Sequence, residues 1–521
     1  MTQSQATQPN FQSDSQGWSN RILIAATAAI LFLTCFPFRF ISHAKLPDGV
    51  SPFCLGMTFG KQTGIFDAFL NVLLFVPLGF GLSEKLFEKG KSRTTTFFAV
   101  WIAGSFLSYA IEFTQLYIPG RDSGWEDVLT NGAGAAVGFL LFIILGRALL
   151  RLFTQAERAI ESLATARRLA VVLLIYFSCW FAVSARLQAE TKLTDWVSDS
   201  RLLIGNDLTG KAGGGWKGSV SKLEIWDRAL PPGTAMALTG GTDSQADAPV
   251  ARAAYDFTNG PPFRDQMKFL PDLGWSSGAQ ASGEPSPPVL NGGAWLVSAA
   301  PVSGLVTDLQ RTNQFAVYIL CKSVERSGPN SRILSISHAP YAADLNVWQE
   351  DQSLAFWFRS PLSARHAQIA FYVPKALASN RLRNILYSYD GSNLFLYVDG
   401  KPAGSPYRLG PGAALARTVR RIKPSELDGY HDIYYALVFF PAGVTLGILA
   451  RAAARERRMA AWLFIALWLI APPLLLEYLL MAVSGRPFSP GNFVLSVALS
   501  GAGALWINAE GGQRVRASAA R

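Results

Sequence analysis

The stretch Ile111-Glu-Phe-Thr-Gln-Leu-Tyr-Ile-Pro-Gly-Arg-Asp-Ser-Gly-Trp-Glu-Asp-Val-Leu-Thr-Asn-Gly-Ala-Gly-Ala135 sets Glu112, Gln115, Arg121, Asp127 and Asn131 between two apolar runs. An ionisable group at mid-depth on a spanning helix costs roughly 2.5 kcal/mol or more, so it persists where it faces protein, water or a substrate path. Outward from this turn, apolar runs long enough to span a hydrocarbon core recur near 21–40, 65–83, 96–118, 127–147, 169–186, 432–450, 459–483 and 491–507. The chain is therefore expected to be a multi-pass α-helical membrane protein with eight spans.

Half of the 521 residues are hydrophobic and only 16% are charged, which leaves room for a soluble domain beside the bundle. That domain is expected at 190–425, rich in Gly, Ser, Asn, Asp and Pro, where no apolar run reaches spanning length. The remaining divisions are a tail at 1–20, a four-span region at 21–150 and a linker with the fifth span at 151–189. A three-span bundle at 426–508 and a basic tail at 509–521 close the chain. The first run ends at Pro37-Phe-Arg39 with no small-residue cleavage site and reads as a retained anchor. Cys35 and Cys179 fall inside spans and Cys54 and Cys321 outside them, so the cysteines define no disulfide framework.

The formal charge of +11 does not point to nucleic acid, because the basic residues cluster where the positive-inside rule places them. Lys85, Lys89, Lys91 and Arg93 follow the second span, Arg147, Arg151 and Arg158 the fourth, and Arg451, Arg455 and Arg457 the sixth. This pattern puts both termini in the cytoplasm, and the 190–425 domain and the Glu112 to Asn131 turn outside it.

Three polar pairs then fall at one depth: Asp67 and Asn71, Glu112 and Gln115, Asp127 and Asn131. Each pair has i to i+3 or i+4 spacing and shares one helix face. Six polar groups are expected to converge on one outward-facing pocket beneath Arg121. In a functional site Glu112 and Asp127 are acid/base or coordinating groups, Arg121 holds an anion through its planar fork, and Asp67, Asn71, Gln115 and Asn131 bind and orient. In a structural reading Arg121 pairs with a carboxylate and the amides lock helices together, at about 0.6 to 2 kcal/mol each. Placement near one face, not at mid-depth, argues against a transporter.

Asp67-x3-Asn71-x5-Pro77-Leu-Gly79, Glu112-x2-Gln115, Gly120-Arg121, Asp127-x3-Asn131 and Gly134-x3-Gly138 resemble the VanZ-like family of bacterial membrane proteins over roughly residues 20 to 150. The resemblance implies an inner-membrane cell-envelope protein, with a link to glycopeptide-antibiotic resistance or surface-polysaccharide metabolism. It supplies no settled activity, so whether the protein is an enzyme stays open. A worn second copy is expected at the end of the chain. There Glu477 precedes Gly485-Arg486 as Glu112 precedes Gly120-Arg121, with Asn492 opposite Asp127, Ser496 opposite Asn131, Asp432 opposite Asp67 and Ala436 opposite Asn71, while Phe440-Pro441 matches Phe75-Val-Pro77 one residue out of step.

Within 190–425, the segments Ser219–Trp226, Phe315–Leu320, Ser353–Phe358 and Asn393–Gly400 alternate as strands with Asp-Gly and Asn-Gly punctuation, which predicts an all-β sandwich. Tyr389-Asp-Gly-Ser-Asn-Leu-Phe-Leu-Tyr-Val-Asp-Gly-Lys401 and Trp216–Leu230 resemble the laminin-G-like or concanavalin-like jelly-roll family, in the reverse of its usual order. Ala254-Tyr-Asp-Phe257 resembles the family's opening strand, so a circular permutation is expected, which tolerates such reordering when the termini are close. The resemblance implies a domain that binds a glycan or a protein. Trp216, Trp275, Trp295 and Trp348 are candidate sugar-stacking faces, whereas Trp226 and Trp357 are expected in the core.

No cofactor is expected. Asp256, Asp344 and Asp351 could supply oxygen ligands for calcium but have no motif spacing. His43, His338, His366 and His431 are scattered, which argues against zinc. Gly274-Trp-Ser-Ser-Gly278 lacks the flanking strand and helix of a nucleophile elbow and reads as a loop. The expected partners are membrane lipids or lipid-linked cell-wall or polysaccharide precursors, together with an envelope glycan or surface protein. The alternative is a non-catalytic membrane-anchored receptor whose polar cluster is structural.

Overall fold

The computed structural model describes residues 11–35, 40, 65–118, 124–163, 166–208, 215–241, 249–276, 287–324, 327–364, 369–378, 380–419, 422–456 and 459–508. Five long helices come first: α1 (Phe11–Cys35), α2 (Ile65–Glu88), α3 (Arg93–Gln115), α4 (Trp125–Leu163) and α5 (Ala166–Ala189). Helix α1 begins inside the stretch read as a tail, and α4 runs on into the stretch read as a linker. The latter is rich in Ala, Leu, Arg and Glu, all strong helix formers.

Strands β1 (Arg201–Ile204) and β2 (Lys217–Trp226) follow, then α6 (Pro232–Gly240). Next come β3 (Ala253–Asp256), β4 (Leu273–Trp275), β5 (Val289–Asn291), β6 (Leu296–Ser298) and α7 (Ser303–Thr312). The longer strands are β7 (Phe315–Ser323), β8 (Ser327–Ala339), β9 (Ala342–Asp351) and β10 (Ser353–Phe358), before α8 (Pro361–Ala364). Then come β11 (Phe371–Val373), β12 (Arg383–Tyr389), β13 (Asn393–Val398), β14 (Lys401–Pro402), β15 (Tyr407–Arg408) and α9 (Pro411–Val419). The chain ends with α10 (Leu427–Glu456), α11 (Met459–Ser484) and α12 (Pro490–Asn508).

Among the described residues eight helices are long and apolar enough to cross a membrane, from Trp18–Cys35 to Pro490–Asn508, in the places the apolar runs indicate. Their outward faces carry Phe106, Ile144, Leu174, Leu463 and Leu505, each at least 60% exposed. Apolar bands of this extent are not left to water, and the protein is a multi-pass membrane protein.

The contacts divide the chain into two compact units. One comprises Met1–Ile175, Phe439–Ile470 and Val497–Arg521; the other comprises Tyr176–Val438 and Ala471–Ser496. In the second unit the strands form two antiparallel sheets. One has the order β11-β10-β9-β8-β1-β6-β4, and the other β14-β13-β12-β7-β2-β3, with β15 beside β13 and β5 beside β2. Phe356 of the first sheet stacks on Tyr387 of the second with ring centroids 4.1 Å apart, and Phe358 meets Tyr389 at 4.7 Å. These contacts make the two sheets a sandwich with an aromatic core. The Asp399-Gly400 turn joining β13 to β14 has φ of +49° and +79°, the left-handed pair that two-residue hairpins require.

Several side chains differ from the expected roles. Trp216 is buried and its Nε1 donates to Gln349 Oε1 at 2.7 Å, and Trp348 is also buried, so neither offers a sugar-stacking face. Trp226 and Trp357 are in the core as expected. Leu273–Trp275 is a strand, paired with β6, where the Gly274–Gly278 motif reads as a loop; short strands of this kind are legible only from their partner. Asp344 is spent on Ser200 Oγ at 2.5 Å and Val197 N at 3.1 Å, and burial raises its pKa. Asp256 accepts from Thr258 N and Oγ1. Among the described residues no group of three His, Cys, Asp or Glu side chains is placed to hold a metal ion.

In the first unit two helix pairs cross in the same way. A Cβ added at Gly138 of α4 would stand 2.2 Å from Val76 O and 2.7 Å from Phe80 N of α2. One added at Gly503 of α12 would stand 2.3 Å from Phe440 O and 2.9 Å from Val444 N of α10. In the reverse direction Gly79 would meet Ala135 O at 2.1 Å, and Gly443 would meet Ser500 O at 2.0 Å. Only glycine lets two backbones approach this closely. The α4 and α12 partners share one constant sequence offset, and the α2 and α10 partners share an offset one residue shorter, which Pro77 and Pro441 also obey.

Candidate functional site

Helix α3 starts at Ser92, whose Oγ accepts from Thr95 N at 3.2 Å, and it delivers Ser108, Glu112 and Gln115 in buried positions. Helix α4 opens with Trp125-Glu-Asp127, acids in the first turn that suit the positive end of the helix dipole. Glu112 Oε2 accepts from Gly124 N at 3.0 Å, at the entry to that helix.

Asn71 Nδ2 donates to Asp127 Oδ1 at 2.7 Å, which joins α2 to α4. Asn131 Nδ2 donates to Ser108 Oγ at 2.8 Å, and Ser108 Oγ donates in turn to Asp127 O at 3.4 Å. With Ser108 in this relay the orientation of the Asn131 amide is set, and its Oδ1 is buried with no hydrogen-bond partner among the described residues. The structure therefore joins Asn71 to the Asp127 carboxylate directly and Asn131 to the Asp127 carbonyl through Ser108, a residue outside the expected set. Glu112 lies one helical turn beyond Ser108 on α3 and reaches the mouth of α4. Gln115 does not join them. Its Nε2 donates to Thr34 O at 2.9 Å, satisfying a carbonyl in the last turn of α1 that the helix itself leaves open. Arg121 and the side chain of Asp67 lie outside the described residues.

Residues 5–146 match the VanZ/LLP1 family model. The match covers α1 to α3 and most of α4, and with them every candidate residue of the cluster. Neither the curated proteins nor the solved structures contain a match to the chain.

Outside the VanZ/LLP1 region, the second compact unit contains a further polar concentration. Glu477 and Arg486 form a fully buried ion pair with Oε2 to Nη2 at 2.6 Å, and Tyr435 OH donates to Glu477 Oε1 at 2.7 Å. Arg486 Nη1 also donates to Pro487 O at 3.0 Å. His431 Nε2 lies 3.0 Å from Asn492 Oδ1. Beside these groups is a cavity of about 300 Å³, whose walls come from the ends of α5, α10, α11 and α12 and from the sandwich loops near Ser392 and Gly410.

The Glu477 to Arg486 spacing was legible in the sequence, but His431, Gln188 and Arg408 were not. Their sequence neighbourhoods carry no metal or catalytic spacing, and only the meeting of loop and helix ends joins them. The glycine contacts extend to the rest of α10 the one-residue step that the sequence shows at Phe440-Pro441. Because α10 is one residue out of step, His431 and Tyr435, not Asp432 and Ala436, stand where α2 has Asp67 and Asn71.

Proposed function

We propose that the protein is a bacterial inner-membrane protein of VanZ-like type whose outer α2–α4 cluster handles a lipid-linked or anionic envelope component. The sandwich, a laminin-G-like or concanavalin-like jelly roll, engages an envelope glycan or surface protein. The observation that carries the helical reading is Asn131 Oδ1, buried beside Asp127 with no hydrogen-bond partner among the described residues. A buried acceptor left unsatisfied costs about 1–3 kcal/mol, a cost that a bound donor removes. In this reading Glu112 and Asp127 act as acid/base or coordinating groups, Arg121 holds the anion, and Asp67, Asn71 and Asn131 orient the ligand. Gln115 serves the helix packing instead.

The distribution of Lys and Arg supports cytoplasmic termini and an external 190–425 domain. The pairing of β3 with β2 supports a circular permutation, since it sets the strand resembling the family's opening one beside the strand that would close the domain. The matched glycine contacts support α10–α12 as a degenerate copy of α2–α4. A role in glycopeptide resistance or surface-polysaccharide metabolism follows from the VanZ-like resemblance.

The rival reading is a non-catalytic anchor, and a specific observation favours it. The bonds Asn71–Asp127, Asn131–Ser108 and Gln115–Thr34 each tie two helices together. The deciding experiment compares Asp127→Asn and Arg121→Ala variants, matched for membrane abundance and melting temperature, for retention of lipids extracted from the native membrane. Lost retention in stable variants supports the site. Unchanged retention, or lost stability alone, makes the cluster helix glue and moves function to the sandwich.

A further inference from the structure

The cavity in the second compact unit has the lining of a ligand site. Its volume of about 300 Å³ lies at the lower end of small-molecule sites. Gln188, fully buried at the end of α5, lines it. The Gln188 Nε2 donates to Thr191 Oγ1 at 3.0 Å and to Gly391 O at 3.5 Å, and Thr191 Oγ1 in turn donates to Gly391 O and Gln188 O. Both partners of Nε2 thus act as acceptors, which settles which end of the amide is nitrogen. Gln188 Oε1 then faces the Gly410 wall, 3.8 Å from where a Cβ on Gly410 would stand, and is buried with no hydrogen-bond partner among the described residues. An acceptor in that position calls for a ligand that brings a donor.

The charge of the lining narrows the chemistry. Where α2 and α4 have Asp67, Asn71 and Asp127, the corrected register gives α10 and α12 His431, Tyr435 and Asn492, so hydrogen-bonding capacity is kept while carboxylates are lost. The two arginines in the wall differ in how closely a carboxylate holds them. Arg486 is paired with Glu477 at 2.6 Å, and Arg408 lies 3.8 Å from Asp428 and 4.0 Å from Asp432. Glu477 already accepts from Arg486 and Tyr435, so this buried pair offers a ligand no open counter-charge, while the half-exposed Arg408 is held only loosely by its two carboxylates. Left to recognise a ligand are neutral groups, Gln188, Ser392, His431, Ser489 and Asn492, with the rings of Phe395 and Tyr435 in the same wall. Closely spaced neutral donors and acceptors beside aromatic rings match a sugar, whose hydroxyls both donate and accept and whose C–H faces are apolar.

We propose that this cavity binds a neutral polyhydroxyl group, a sugar ring presented either free or as the headgroup of a glycolipid. The full chain in phosphatidylcholine nanodiscs is titrated with glucose, galactose, mannose and N-acetylglucosamine, with the octyl glycosides of the same sugars, and with inorganic phosphate and octyltrimethylammonium. Binding is read by melting temperature and by intrinsic fluorescence. At least one sugar or glycoside is expected to bind, and Gln188→Leu and Asn492→Leu are each expected to weaken it about tenfold, the equivalent of a lost hydrogen bond at a buried site. Binding of the glycosides alone identifies a glycolipid headgroup; equal binding of the free sugar identifies a soluble or polymer end. If Gln188→Leu fails to fold, Ser489→Ala reads the same wall with a smaller change. The proposal is overturned if no sugar or glycoside in the panel binds, if phosphate or the alkylammonium binds in their place, or if folded wall variants bind sugar as the native chain does.

Discussion

Glu477 and Arg486 are both almost wholly removed from water, and each holds the other's charge. Glu477→Gln leaves the guanidinium buried without its counter-charge, a loss expected to cost about 3–5 kcal/mol. The double variant Glu477→Gln with Arg486→Met removes both charges and is expected to recover most of that loss. Melting temperatures of the three proteins in detergent check this, and a double variant no more stable than Glu477→Gln would contradict it. Asp344 shows the converse, a buried carboxylate whose pKa is raised by burial against the lowering effects of Ser200, Val197 and Arg359. A raised folded-state pKa means stability that is full below the unfolded value, near about 4, and is lost as pH rises through the folded one. The melting temperature of Asp344→Asn relative to the native chain is therefore expected to climb as pH rises from about 4 toward neutrality. A difference that stays flat with pH would contradict the assignment.

At the scale of elements, the α2/α4 and α10/α12 crossings depend on glycines that abut a neighbouring backbone. Gly138→Ala and Gly503→Ala force the helices apart and are each expected to cost about 1–3 kcal/mol, as overpacking does. Gly501→Ala on the same helix as Gly503 meets nothing within 4 Å and is expected to be neutral or stabilising by up to about 1 kcal/mol. Thermal unfolding of the three variants tests the pattern. Similar losses at 138 and 503 with none at 501 are required if the two crossings are equivalent. The Gly134-x3-Gly138 spacing was visible in the sequence, but which backbone each glycine approaches was not, since that depends on how two helices rotate against each other.

For the whole molecule, the arrangement of basic loops predicts that the sandwich and the Lys91 loop lie on opposite sides of the membrane. Lys401 and Lys91 are both exposed and serve as reporters. A Lys401→Cys variant is expected to react with a membrane-impermeant maleimide in intact cells, and a Lys91→Cys variant only after permeabilisation, each read against the native chain. The opposite order would invert the topology and put the α2–α4 cluster inside. The sandwich is also tied to the helix ends of its own unit: Asn313 Nδ2 donates to Ser484 O at 2.8 Å and Tyr389 OH to Thr191 O at 2.7 Å.

The spans, the insert of short strands and the polar pairs were legible in the sequence alone, because each is a local pattern: apolar run length, alternation, or i to i+4 spacing. Asn71, Asp127 and Asn131 were legible as neighbours for the same reason, lying on the faces of three consecutive helices. What only the tertiary structure decided were the long-range relations. Gln115 turned to α1 because Thr34 offered an open carbonyl there, and Trp216 and Trp348 went into the interior. The cavity is the clearest case. Gln188, Ser392, His431 and Asn492 come from four distant segments, and no local rule of spacing brings them to one wall. Their meeting follows from the closure of the sandwich onto the helix ends, where burial of Arg486 with Glu477 leaves neutral hydrogen-bonding groups around the cavity.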